Sequence, residues 1–449
     1  MAELQVWMNG RAVAVWATLR TGTPVLRYHE AWAQSDEGRA LSLSLPFTVG
    51  LEHRGDAVTN YFDNLLPDST EIRRRLRRRF QARSDDPFDL LRAIGRDCVG
   101  AVQLLPPGAE PEGWNRVEAE PLKDADVDRI LAAVTSDAPL GQRGEDDLRI
   151  SIAGAQEKTA LLRMAGRWYR PKGVTPTTHI LKLPLGRVGN LRADMTGSVE
   201  NEWLCAELMN ELGIATAETS IASFGDTKAL VVTRFDRRWQ GVPAGAERKP
   251  RFKPPEGAWI ARLPQEDFCQ ALGIAPQRKY ESEGGPSVAD CLAVLANSEQ
   301  AMADRTTFAL AQLAFWLLAA TDGHAKNFSI QHRRGGRFGL APLYDVLSAW
   351  PIIGSGPNRL PYQRAKLAMA VRGKNAHYRL REIDLRHWQR LASLCGPDAW
   401  ARMAALVESA DGALQSVEHR LPKGFPGSVW EPVAKGLRRH AAQFLRAAA

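Results

Sequence analysis

The chain has 449 residues, 44% of them hydrophobic and 24% charged, and its 59 Lys and Arg exceed its 51 Asp and Glu by a formal net charge of +8. That balance belongs to a folded protein of roughly two to four domains and excludes a mainly disordered, collagen-like or disulfide-stapled chain. The longest nearly apolar run, residues 308–320, contains Gln312 and falls short of the ~20 residues of a membrane span. The first residues carry no basic-then-apolar leader pattern, so the expected location is cytoplasmic.

Residues 4–8, the pair Asn9-Gly10 and residues 11–16 read as a β-hairpin on a tight turn. The alternation Leu41-Ser42-Leu43-Ser44-Leu45-Pro46 predicts a strand. Asn60 to Pro67 lead into a basic helix over 72–80, in which residues 73–79 hold six arginines. Pro106, Pro107, Gly108, Pro111 and Gly113 mark a linker, and a short acidic helix follows over 122–134. From 148 to 235 strands dominate. They are 148–152, then 158–163 with a turn at Ala165-Gly166 and a return at 168–170, then Ile180-Leu181-Lys182-Leu183, and finally a buried strand at 229–233. A helix spans 198–212, with Leu204, Leu208 and Leu212 at four-residue spacing. Residues 240–257, rich in Pro, Gly and basic side chains, read as a flexible insertion.

Beyond the insertion the chain is mostly helical. A helix over 308–320 is apolar all round and reads as buried. A hairpin with a Gly-Gly turn covers 328–340. Two amphipathic helices, 398–421 and 429–445, are separated by Pro422, Gly424 and Pro426. These signals divide the chain into an α/β part at 1–105, a strand-rich part at 106–235 and a mainly helical part at 236–449. Cys98, Cys205, Cys269, Cys291 and Cys395 have no zinc-ligand spacing and read as reduced core thiols. Of the 59 basic residues only 13 are Lys, so a remaining Lys is informative; Lys158, Lys172 and Lys182 lie close together, and Lys differs most from Arg where a compact point charge is wanted.

Four features can carry chemistry. Thr321-Asp322-Gly323-His324-Ala325-Lys326-Asn327 follows the apolar helix directly, so the helix pins a loop open to solvent. Asp322 and Asn327 have the spacing of the kinase catalytic loop, where the Asp accepts a hydroxyl proton and the Asn holds magnesium; the same residues also describe a polar turn capping a core helix. The hairpin at 328–340 leads to Tyr344-Asp345, the position of the second metal-binding Asp in a kinase, although Asp345 could equally cap a helix starting at Val346. Lys182, inside an apolar strand, needs an anionic partner, for which Glu200 and Glu202 are candidates; the alternative is a solvent-facing Lys on an edge strand. Ser151-Ile152-Ala153-Gly154-Ala155-Gln156-Glu157-Lys158-Thr159 can bring backbone N–H groups to phosphate oxygens, or form a plain turn. In order along the chain these are a phosphate loop, a strand Lys, a helix Glu, a buried helix, an Asp…Asn loop, a hairpin and a metal Asp.

With these segments in place the sequence closely resembles the HipA family, kinase toxins of bacterial HipA–HipB toxin–antitoxin pairs. The resemblance is carried by Ser151 to Lys158, Pro171-Lys172-Gly173, Thr175 to Lys182, Arg234-Phe235-Asp236-Arg237-Arg238-Trp239 and Arg262-Leu263-Pro264-Gln265-Glu266-Asp267. It continues through Lys279-Tyr280-Glu281-Ser282, Gly284-Gly285-Pro286, Thr321 to Asn327 and Tyr344-Asp345, with Asn64-Leu65-Leu66-Pro67 in the N-terminal part. It covers nearly the whole chain.

The resemblance implies an α+β, divergent two-lobed kinase-like fold and a serine/threonine protein kinase using ATP and Mg2+. It makes Asp322 the catalytic base, with Lys182 and Asn327 as further catalytic residues and Asn327 and Asp345 as the magnesium ligands. It assigns the nucleotide to Ala153, Gly154, Ala155, Gln156, Lys158, Lys182, His324 and Asp345, with Thr233 and Phe235 at the adenine hinge. Ser151 matches the autophosphorylated serine, whose added charge of about −2 would silence the enzyme by repelling the ATP phosphates. The implied partners are a HipB-like helix-turn-helix antitoxin dimer, operator DNA through that complex, and a substrate such as an aminoacyl-tRNA synthetase, notably the glutamyl enzyme. The rival class is a catalytically weak, DNA-bound corepressor subunit. The arginines of 73–79 and Arg438-Arg439-His440 read either as DNA-phosphate contacts or as solvated or acid-paired faces.

Overall fold

The structure, a computed structural model, describes residues 2–135, 152–154, 156–189 and 191–448. The expected strand over 148–152 falls almost wholly outside these residues, and so do Ser151 and Ala155. The chain divides into two compact units. One comprises Met1–Leu183, Ala222–Gln277 and Gln331–Arg337, and the other comprises Pro184–Ile221, Arg278–Ile330 and Phe338–Ala449.

The first unit contains two sheets. The N-terminal sheet has the order Glu52–Arg54, Pro24–Tyr28, Arg11–Thr18, Ala2–Met8, Gln103–Leu105. Its opening hairpin turns at Asn9 and Gly10, with φ of 45° and 79°, the left-handed pair that a two-residue turn on twisted strands requires. Helices Asp56–Asp63 and Pro87–Ile94 supply its core. Trp16 stacks on Phe62 at 4.0 Å and meets the edge of Phe88 at 4.8 Å. Residues 41–46 form no strand. Leu41, Ser42 and Leu45 are buried in an irregular segment whose backbone is satisfied by side chains instead. The Tyr28 hydroxyl donates to the Leu45 carbonyl and accepts from the Leu41 N–H. The Ser42 and Ser44 hydroxyls both donate to the Gln270 carbonyl. Burial here does not alternate as it would in a strand: Leu41 and Ser42 are both buried, Leu43 and Ser44 both half-buried.

The second sheet has the order Thr219–Phe224, Thr227–Thr233, His179–Lys182, Lys158–Met164, Arg167–Pro171, Ala119–Leu122. Helix Asp124–Val134 closes one face through Val127 and Leu131 against Leu161, Leu181 and Val231. His179–Lys182 is a central strand, which removes the edge-strand reading of Lys182. Residues 240–257 join the arms of a ribbon, Arg237–Gln240 paired with Trp259–Arg262. Phe252 packs edge-on against Trp239 at 5.3 Å, so the insertion folds back on its own ribbon.

The second unit is mainly helical. Helix Ala301–Leu318 is buried throughout residues 308–318 and ends at Ala319 in the left-handed region, φ 49°. Around it are helices Ser198–Glu211, Val288–Leu295, Leu385–Ser393, Ala399–Glu408, Ala410–Glu418 and Gly427–Ala448. The expected helix over 398–421 is thus two helices, parted at Ser409. The ribbon Lys366–Arg372 with Ala376–Arg379 has no counterpart among the expected elements. Strand-rich first half and helical second half together give the expected α+β architecture. No described helix is long and apolar enough to cross a membrane, and all five cysteines are buried free thiols.

Candidate functional site

In the first unit the register of the sheet sets Lys158 directly opposite Lys182. Lys182 is 6% exposed and Lys158 is half-buried. Like charges directly opposite on neighbouring strands destabilise a sheet, and an anion shared by the two ammonium groups reverses the sign. Gly154 lies in front of them with φ 109°, and a Cβ there would sit 2.4 Å from Lys158 Nζ. The φ favours glycine here, whereas the Lys158 ammonium, at the end of a flexible side chain, could shift aside. Ala153 and Gln156 are half-buried on the same loop. The Gln156 amide donates to the Leu183 carbonyl, and the Leu183 N–H donates to the Glu157 carbonyl at 3.1 Å. The loop is thereby tied to the residue after Lys182.

Thr233 ends its strand opposite His179, and Phe235 is half-buried two residues on. Arg234 between them is fixed by a buried ionic cluster. It forks onto Asp236 at 2.9 and 2.7 Å and donates to the Thr177 hydroxyl at 2.9 Å. Asp97 accepts from Arg237 at 2.9 Å, Arg262 at 3.0 Å and the Thr177 hydroxyl at 2.7 Å. Burial opposes ionisation of Asp97. The guanidiniums of Arg237, Arg262 and Arg234 outweigh that penalty and hold its carboxyl well below the usual carboxylate range. The motif residues Arg234, Asp236, Arg237 and Arg262 are therefore structural, and they set the strand end that bears Thr233 and Phe235. His179, next to Trp168, is kept neutral by burial and by Arg163 and Arg248, its pKa pushed down to about 3.

In the second unit the loop after the buried helix presents an exposed Asp322 above a buried His324 and Asn327. The Asn327 amide N–H donates to the Asp322 carbonyl at 2.8 Å. That bond fixes the orientation of the amide and makes Oδ1 its remaining polar atom, the donor a hard cation takes. Gly323 has a steric reason: a Cβ there would lie 2.2 Å from the Phe315 ring. Asp345 has φ 60°, a left-handed conformation that Asp tolerates better than most residues. No helix follows it, so the N-cap reading of Asp345 is removed.

The strain at Asp345 is held from both sides. Leu343 forms a parallel bridge with Thr216 and exchanges hydrogen bonds with Ala215 and Ala217 at 2.9 and 2.8 Å. Asn201 reads both backbone groups of Ser348, at 2.8 and 2.9 Å. Between these pins the Tyr344 hydroxyl meets Ser329 Oγ at 2.5 Å and donates to the Lys326 carbonyl at 2.9 Å, so Asp345 is coupled to the Asn327 loop.

One residue here has no role in the sequence reading beyond its motif. The Tyr280 hydroxyl donates to Asp322 Oδ1 at 2.6 Å. Its ring meets the edge of His324 at 5.0 Å, and Lys279 Nζ lies 5.4 Å from its centre. The next residue, Glu281, accepts from the Ala370 N–H and from Arg372, both at 2.6 Å, and anchors the segment on the ribbon. Nothing in residue spacing marks Tyr280; the signal is an aromatic residue set in a polar stretch between Lys279 and Glu281.

Glu200 and Glu202 are both buried in the second unit. Among the described residues no three His, Cys, Asp or Glu side chains gather into a cation cage. Asn327 and Asp345 carry side-chain oxygens, the donor type that a hard cation such as Mg2+ would take.

Residues 150–420 match the family model described as the HipA-like C-terminal domain, and residues 4–105 match the HipA N-terminal domain. Y4mE of Sinorhizobium fredii is 33% identical over 426 residues, 92% of this chain and 91% of that protein. The serine/threonine-protein kinase toxin HipA of Shewanella oneidensis is 29% identical over 342 residues, 73% of this chain and 70% of that protein. Among solved structures, a chain from the Shewanella oneidensis complex of HipA, HipB and operator DNA superposes with a TM-score of 0.76 at 23% identity, covering 99% of this chain and 97% of that one.

Proposed function

The chain belongs to the HipA family, and from that membership we propose that it is a serine/threonine protein kinase toxin of a toxin–antitoxin pair. The observation that carries the reading is the loop after the buried helix. There an exposed Asp322 is bonded through its carbonyl to Asn327 at the five-residue spacing of a kinase catalytic loop. In this reading the Asp322 carboxylate accepts the proton of a substrate serine or threonine hydroxyl. Lys158 and Lys182 balance the charge of the ATP phosphates. Ala153, Gly154, Ala155 and Gln156 line the phosphates with backbone, and Thr233 and Phe235 meet the base. His324 is a further nucleotide contact in this reading. Asn327 and Asp345 hold Mg2+, which when bound neutralises charge building on the transferring phosphoryl group.

The proposed substrate is a translation component, an aminoacyl-tRNA synthetase such as the glutamyl enzyme, whose phosphorylation would halt growth and give persistence. The proposed partners are a HipB-like antitoxin dimer and operator DNA reached through it, and the proposed location is the cytoplasm. Autophosphorylation of Ser151 is the proposed means of self-silencing. The support is the family match and the solved complex of the structural relative.

The test is mass spectrometry after incubation with ATP and Mg2+, alongside Asp322→Gln. Trypsin releases residues 150–158, in which Ser151 is the only hydroxyl residue. Phosphate on that peptide in the parent chain alone is the expected result. No phosphate on any peptide or co-incubated synthetase, with ATP bound, overturns the kinase reading in favour of a corepressor subunit.

A further inference from the structure

The loop at 152–158 is held by a part of the chain that lies some eighty residues earlier in sequence. Pro67 forms a parallel bridge with Gly154, and the Asp68 N–H donates to the Gly154 carbonyl at 3.2 Å. One residue on, Ser69 caps the N-terminus of helix Thr70–Arg79 through the Ile72 N–H, and the helix presents Arg75 to the loop. Arg75 forms an ion pair with Glu157 and donates to the Val134 carbonyl at 3.2 Å. Arg79 donates to the Ala133 carbonyl at 3.0 Å. The two arginines thus close the C-terminal end of helix Asp124–Val134, where cations belong.

The helix itself is fixed independently of the loop. Arg73, buried, pairs with Asp63 at 2.6 Å and donates to the Pro67 carbonyl at 2.6 Å. Its anchor therefore also sets the position of Pro67 and Asp68. Three of the six arginines are accounted for in this way. Arg74, Arg77 and Arg78 lie on the exposed face.

Packing alone does not hold the loop. A pocket of about 80 Å3, partly open to solvent, lies between the helix and the loop, lined by Leu76, Phe80, Val134, Ile152, Glu157 and Thr159 among others. Side chains facing that opening meet water rather than one another, so the polar ties bear on the position of the loop. The Arg75–Glu157 pair is well placed to carry that load, since the side chains are only 12% and 26% exposed. A pair so little hydrated is costly to break from one side, because the remaining charge stays partly buried.

We infer that segment 67–79 is a clamp on the phosphate loop, and that Arg75 is a positioning residue for nucleotide binding. It acts through Glu157, while the Asp68 N–H acts through Gly154. The inference rests on the reading of 153–158 as the nucleotide loop. It makes the N-terminal part of the chain a working part of the nucleotide site. Any partner that shifts helix Thr70–Arg79 changes the affinity for ATP without touching the nucleotide.

The experiment is hydrogen exchange by mass spectrometry over 152–158, with ATP affinity by calorimetry, on the full chain. The variants are Arg75→Met, the milder isosteric Glu157→Gln, and the swapped pair Arg75→Glu with Glu157→Arg. The expected result is faster exchange in the loop for both single variants, confined to 152–158 and its contacts, with ATP affinity about tenfold weaker for Arg75→Met. The swapped pair recovers most of both. Unchanged exchange over 152–158 in both folded single variants overturns the clamp. Faster exchange with unaltered ATP affinity overturns Arg75 as a positioning residue for the nucleotide. Faster exchange in a chain whose parent binds no ATP leaves the clamp standing and overturns the kinase reading instead.

Discussion

The Tyr280 hydroxyl donates to the carboxylate of the proposed base, Asp322, across 2.6 Å. A single hydrogen bond to a charged group contributes about 1.5–3 kcal/mol, part of which the phenol spends on holding the carboxylate in one rotamer. Tyr280→Phe keeps the ring contact with His324 and removes only the hydroxyl. We expect kcat to fall by roughly tenfold or more with little change in the KM for ATP; steady-state phosphorylation assays read both. A rise in KM with kcat unchanged would instead place Tyr280 in substrate binding. Gly323 is decided by space rather than charge. Gly323→Ala puts a Cβ 2.2 Å from Phe315 Cδ2, and the buried helix cannot yield without repacking. A loss of about 1–3 kcal/mol is expected, seen as a lower thermal midpoint, and activity should fall with it because Asp322 and His324 flank the displaced residue.

At the scale of elements, helix Gly427–Ala448 shows how one buried polar side chain can fix an interface. His440 stacks on Trp316 at 4.2 Å, with Nδ1 2.6 Å from the Trp316 carbonyl and Nε2 2.9 Å from the Tyr362 hydroxyl. Burial and the nearby Arg439 push its pKa down to about 4, against the opposing pull of the Trp316 carbonyl. The folded state therefore refuses a proton that the unfolded chain takes at its ordinary pKa near 6.5. Stability is full above that value and is lost as pH falls from 6.5 toward 4, on the order of 3 kcal/mol at roughly 1.4 kcal/mol per pKa unit. Denaturant titrations at pH 7.5 and pH 4.5 should differ in this direction, and His440→Gln should flatten the difference. On the same helix the acid-paired alternative for Arg438-Arg439-His440 describes Arg438, while the other two residues have aromatic and buried partners. Arg438 pairs with Asp411 at 2.8 Å, Arg439 lies over the Tyr362 ring at 4.2 Å, and His440 points inward.

Elements with a local cause were legible in the sequence. The Asn9-Gly10 hairpin, the Gly335-Gly336 turn, the apolar helix ending before Asp322 and the Lys182 strand each follow from turn chemistry or periodicity within a few residues. Features set by distant partners were not. Residues 41–46 take their conformation from Tyr28 and Gln270, Tyr280 takes its role from a loop 42 residues away, and the division of the six arginines depends on Asp63, Val134 and Glu157. The Asp322–Asn327 spacing was readable because loop and helix are contiguous. The grip of Asn327 on the Asp322 carbonyl and the left-handed φ of Asp345 are properties of the folded chain.

At the scale of the molecule, the buried ionic cluster sets two carboxylates, Asp97 and Asp236, against three guanidiniums, Arg234, Arg237 and Arg262. Removing one acid leaves fully buried positive charge uncompensated. Asp97→Asn should therefore cost about 3–5 kcal/mol, measured as a lower first unfolding transition. The cluster also contributes to acid sensitivity. Asp97 and Asp236 are held below the ordinary carboxylate range, so their contribution is present above pH ~4 and fades as pH falls through the folded values. The carboxylate and histidine windows follow one another, and stability should decline continuously with acid from pH 6.5 downward.

That cluster has a consequence during synthesis. Arg262 lies 165 residues beyond Asp97, an interval of roughly ten to thirty seconds at ribosomal rates of about 5–20 residues per second. Until Arg262 emerges, Asp97 lacks one of its three guanidinium partners and the strand end bearing Thr233 lacks its final anchor. The first unit cannot reach its finished form before more than half of the message has been read. A chain cut short before that point lacks Arg262 from the cluster and the whole of the Thr321–Asn327 loop.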